Sequence, residues 1–201
     1  MRARRGVIGL LSKNSAALFV AALLLLTACV PQKNVELDPA LQKSAEVDRA
    51  VRESEQDIRK GDFDGALGVY TAALRKYPGD AGLLKYHLDA AEDIRDAADN
   101  AFDKEDFALS GRTYAVLLRN YPHFKEIAGD LSFDRNYLKG RLTECSDRLS
   151  KLALTQYRQG NLAAAISLWK NILEFEPGNG GVKKSIDTAS NQLKNLQRKT
   201  E

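Results

Sequence analysis

Residues that usually carry site chemistry are scarce in this chain. Its 201 residues include two cysteines, two histidines, one methionine and one tryptophan. His87 and His123 share no zinc-ligand spacing with each other or with Cys29 and Cys145. There is no Gly-x-Ser-x-Gly turn and no phosphate-cradling glycine loop. "PGNGG" at 177–181 precedes Lys183-Lys184 without the Walker spacing, so it reads as a turn between helices. Proline numbers only five, and from Asp38 onward no run alternates apolar and polar residues as a strand would. These absences argue against an enzyme and for an all-α chain without metal, cofactor or small-molecule substrate. His87, inside a helical pattern near its apolar stripe, and His123, behind Pro122, are expected to be structural or surface residues. Adjacent acids such as Glu105-Asp106 read as solvated.

The first 28 residues have a different character. They carry Arg2, Arg4, Arg5 and Lys13 with no acid, then an apolar run from Ala16 to Leu26, then Thr27 and Ala28. A basic start, a short apolar centre and a small-residue exit describe a secretory signal peptide. Eleven helical residues reach only ~16 Å against ~30 Å of hydrocarbon, short for a permanent span. Leu26-Thr27-Ala28-Cys29 resembles the lipobox at which bacterial lipoprotein signals are cleaved. The resemblance implies that Cys29 becomes the lipidated first residue. Val30, not being aspartate, would favour the outer membrane, leaving the protein anchored there on the periplasmic side. Two acyl chains or more make a stable anchor where one does not. Residues 29–37 then serve as lipidated N-terminus and tether.

Removing the leader changes the charge. The chain has 30 basic and 27 acidic residues, a formal +3; losing the four leader cations leaves 26 against 27, a formal −1. No electrostatic case for nucleic acid remains. Cys145 is then the only other cysteine, so no internal disulfide framework is available. Its spacing from Leu142 and Leu149 makes it a small buried hydrophobe, with an intermolecular disulfide as the alternative.

Residues 38–201 read as one helical domain, opening at Asp38-Pro39, an N-cap followed by a first-turn proline. Three stretches align without a gap: "GDFDGALGVYTAALRKYP", "EDFALSGRTYAVLLRNYP" and "GNLAAAISLWKNILEFEP". They share an apolar residue (Phe63, Phe107, Leu162), a small one three later (Ala66, Ser110, Ala165) and an aromatic seven later (Tyr70, Tyr114, Trp169). Leu74, Leu118 and Leu173 follow, then Pro78, Pro122 and Pro177 as helix stops. Agreement at five positions is an internal repeat. The offsets form one stripe at a period of 3.6, with Asp62, Asp106 and Asn161 placed to cap.

The first stretch resembles the second helix of the tetratricopeptide repeat, with Ala66, Tyr70, Ala73 and Pro78 at signature positions. The third keeps Gly160, Ala165, Trp169 and Pro177, and the second departs at Ser110 and Leu117. This implies a solenoid of about three helix pairs. First helices fall near 39–60, 81–104 and 131–159, with Ser54, Ala98 and Ala153 as packing residues. Such repeats recur every ~34 residues, whereas here the intervals are 44 and 55. The excess is near whole numbers of turns, so longer first helices are expected, with a break close to Gly129-Asp130 or at Gly140. "GVKKSIDTASNQLKNLQRK" places Val182, Ile186, Ala189, Leu193 and Leu196 on one face, as a C-terminal capping helix would.

Stacked pairs of this family present a concave face lined by first helices. By that analogy a partner-binding groove would contain Val51, Ile58, Arg59, Asp99, Phe102, Asp103, Leu154, Tyr157 and Arg158. Phe102 and Tyr157 are equally candidates for plain core, and Trp169, at a repeat packing site, is expected to be core. The expected function is a periplasmic adaptor holding another envelope protein or peptide, in envelope, pilus or secretion-system assembly. The alternative is a structural lipoprotein associating with its own copies.

Overall fold

The computed structural model describes residues 38–198. Seven α-helices run through it: α1 (Pro39–Lys60), α2 (Phe63–Lys76), α3 (Ala81–Asp103), α4 (Phe107–Asn120), α5 (Arg135–Arg158), α6 (Leu162–Phe175) and α7 (Gly180–Arg198). A 3-10 turn, Tyr121–Phe124, follows α4. No strand occurs among the described residues, and none of their helices is long and apolar enough to cross a membrane. Cys29 and the leader lie outside the described residues.

Local chemistry sets the boundaries. Aspartates at 38, 62, 80, 106 and 134 each accept a backbone N–H from the first helical turn, at 2.7–3.0 Å, satisfying donors that lack an intrahelical partner. Asn161 is an exception to the expected pattern: its side chain makes no cap bond and its amide donates instead to Gln156 Oε1 at 2.9 Å. α1 ends at Gly61, φ 78°, and α5 is followed by Gly160, φ 79°, where a left-handed backbone favours glycine.

The three repeat stretches form helices of equal length, 14 residues each. Their companions α1, α3 and α5 are longer, at 22, 23 and 24 residues. Elongated first helices therefore account for the first interval. In the second they do not suffice: α5 begins at Arg135, not near 131, and residues 121–134 form the 3-10 turn, a run of turns and a short extended link. The chain breaks across Gly129-Asp130 as expected, while Gly140 lies inside α5. The link is anchored, not looped out. Phe124, Ile127 and Phe133 are buried, and Ser132 donates both its N–H and its hydroxyl to Glu92 on α3 at 2.6 Å.

Each helix packs on the next in sequence, and α2, α4 and α6 touch in succession. The small residues explain how. Ala66, Ser110 and Ala165, with Ser54, Ala98 and Ala153 on the longer helices, are all fully buried. Ser110 donates its hydroxyl to the Ala98 carbonyl at 2.9 Å. Gly111 brings α4 against α6 so closely that an added Cβ would lie 2.6 Å from the Phe175 ring. Tyr70, Tyr114 and Trp169 fill the space one turn further on, while Ala73 is half-buried and Pro78, Pro122 and Pro177 are exposed. The main core runs from α2 to α7. α1 joins a smaller cluster of Tyr70, Leu83 and Ala90 through Val47, Val51 and Ile58, helped by Lys43 on Asp80 at 2.7 Å. Cys145 is buried, its thiol donating to Ser110 Oγ at 3.4 Å, which leaves it no access to a second chain.

Candidate functional site

The nine residues expected to line a groove fall into three groups. Val51 and Ile58 on α1 are half-buried against the Tyr70 cluster. Arg59 is exposed and reaches Glu55 at 3.6 Å. The second group centres on Asp99, and the third lies at the α5–α6 junction.

Asp99 gathers partners from three helices. It accepts from the Tyr114 hydroxyl of α4 and the Tyr137 hydroxyl of α5 at 2.9 Å. Arg141 reaches the same oxygen at 3.2 Å, and Arg95 one turn earlier on α3 reaches the other at 3.3 Å. Arg141 also donates to the Tyr114 hydroxyl at 2.8 Å. Its guanidinium lies 3.9 Å over the Phe102 ring, which meets Phe107 edge-on at 5.1 Å. Burial alone would raise the Asp99 carboxyl, but hydrogen bonds from Tyr114 and Tyr137 and the charge of Arg141 bring it below the ordinary carboxylate range. Burial, and then the Asp99 hydrogen bond, push the Tyr114 phenol upward. At neutral pH Asp99 is therefore a carboxylate shared by two phenol hydroxyls and two guanidinium groups, and those guanidinium groups also reach Glu92, Asp96 and Glu144. Sequence reasoning missed Arg141 and Tyr137. The available signal was their i, i+4 spacing on α5; the identity of their partner was not local.

Asp103, one turn from Asp99, is exposed. Leu154 is 43% exposed, and Arg158 is exposed beside it. Tyr157 is half-buried, its ring tilted against Trp169 at 5.9 Å. Tyr157 and Arg158 line an open cleft of about 540 Å³ whose other walls are Gly160, Leu162 and residues Gln192, Asn195 and Leu196 of α7. None of the α1 or α3 groove candidates borders that cleft. Phe102 and Tyr157 thus act mainly as packing, and the exposed members are Arg59, Asp103, Leu154 and Arg158.

Among the described residues no group of three His, Cys, Asp or Glu side chains is placed to hold a metal ion. His87 is buried between Tyr70 and Phe124, at ring-centroid distances of 5.8 and 5.2 Å. Burial, with a smaller contribution from His123, lowers its pKa to about 4. No family model, no curated protein and no solved structure matches the chain.

Proposed function

We propose that this chain is a non-catalytic adaptor, a solenoid of three tetratricopeptide-like helix pairs closed by α7. In this reading it is lipid-anchored through Cys29 at the outer membrane and faces the periplasm. The observation that carries the reading is the equivalence of the three pairs. The same small position is fully buried in each second helix, at Ala66, Ser110 and Ala165, and again in each first helix, at Ser54, Ala98 and Ala153. Stacks built this way commit their chemistry to packing between neighbours and leave an extended surface for a partner. Leu154 and Arg158, one turn apart on α5 and both exposed, would offer that partner an apolar contact beside a positive charge.

A photo-crosslinking residue placed at Leu154 in cells tests the binding surface, with exposed Lys170 on α6 as the control position. A discrete adduct at Leu154, weakened by Arg158→Glu, supports an adaptor. An adduct containing only a second copy of this chain supports self-association instead, and equal labelling from Lys170 removes the surface as proposed. Labelling with radioactive palmitate, lost in Cys29→Ala, tests the anchor separately.

A further inference from the structure

His87 lines a cavity of about 310 Å³ between α2, the first half of α3, the 3-10 turn and the link after it. Both ring nitrogens are shielded from solvent, and neither has a hydrogen-bond partner. Buried polar groups without partners are uncommon, and each calls for a physical explanation. Arg75, His123 and Lys125 line the same cavity, as does Thr71. Neither Arg75 nor Lys125 forms an ion pair among the described residues. Glu126 is the one acid on the lining, so the cations outnumber it. The opposite character comes from Leu74, Leu84 and Ile127, which supply an apolar wall.

We propose that this cavity binds a small organic anion, a carboxylate on a short branched apolar body. The head would meet the unpaired Arg75 and Lys125 with His123, and the body would lie on the leucine and isoleucine wall. The volume, near the lower end for ligand sites, fits a molecule of a few carbons and not a peptide. Two cations left without partners beside apolar surface are electrostatically complementary to such an amphiphile, and charge-assisted hydrogen bonds from guanidinium and ammonium are the strong ones. His87 packs behind the wall with both nitrogens shielded, so its ring protons report on occupancy without bonding the ligand. None of the adaptor-surface residues borders the cavity, so the two readings stand or fall separately.

The chain's two histidines make the test direct, because imidazole C–H resonances report on this site alone. The full-length chain in a non-ionic detergent is titrated at fixed neutral pH with 4-methylpentanoate, its neutral amide, and inorganic phosphate. His123→Gln assigns the two signals. Saturable shifts of the His87 signal with the acid are expected, with the amide and phosphate each at least about tenfold weaker. In Arg75→Gln/Lys125→Gln, both exposed positions, the acid should weaken by about tenfold or more. Absence of a saturable shift with the acid overturns the proposal. So does an amide or a phosphate ion that binds as well, or a double variant that binds the acid unchanged.

Discussion

Glu105 occupies the place held by Gly61 and Gly160 in the other two repeats, the residue before the N-cap, and it shares their left-handed backbone at φ 62°. A side chain in that region strains the backbone by about 1–2 kcal/mol, partly offset because glycine frees the unfolded chain. Glu105→Gly should therefore stabilise the protein by about 0.5–1 kcal/mol, read as a raised urea midpoint at unchanged slope. A lowered midpoint would mean that the left-handed turn is not strained. His87 makes a pH prediction. Above pH 6.5 it is neutral both folded and unfolded; between 6.5 and about 4 the unfolded chain takes up a proton that the buried ring refuses. Stability should thus fall as pH drops through that window, by up to about 3 kcal/mol. Urea melts of His87→Phe, compared with wild type at both ends of the window, should show that much less pH dependence. An equal slope would show that carboxylates alone set the acid response.

The long helices are held together by more than their apolar stripes. α5 is fastened to α3 and α4 by Arg141 and Tyr137 converging on Asp99, with Tyr114 between them. The Arg141 and Asp99 side chains are only 20% and 25% exposed, so loss of either leaves polar groups with poor access to water. Arg141→Ala should cost about 1–3 kcal/mol. Native-state hydrogen exchange should rise first in the opening turns of α5, with α6 protected as before. Uniform loss of protection would show that the Asp99 cluster belongs to the global core and does not fasten one helix.

For the molecule as a whole, successive packing is the governing fact: each helix rests on its sequence neighbours, and α7 covers α6 through Val182 and Ala189. Damage at one end should therefore stay near that end. Ending the chain after Asn179 removes this cover and should destabilise α5 and α6 by about 2 kcal/mol or more. Exchange protection in α1 and α2 should hardly change. Matching losses in α1 would refute the one-dimensional picture.

What could be read from the amino-acid order was whatever is decided within a few residues. Aspartate caps, prolines after apolar runs and a 3.6-residue stripe placed the helices, most of them to within a few residues. They also marked Ala66, Ser110 and Ala165 as buried contacts, because backbone hydrogen bonding and amphipathicity act over one or two turns. The start of α5 escaped, since residues 121–134 have no periodicity and are held by distant partners such as Glu92. So did the role of Gly111, whose meaning is the Phe175 ring on another helix. Only tertiary packing decided that Phe102 lies under Arg141, that Asp99 is shared by three helices, and that His87 borders a cavity with two unpaired cations. Those arrangements depend on side chains far apart in the chain, and their pairing is set by how the helices cross.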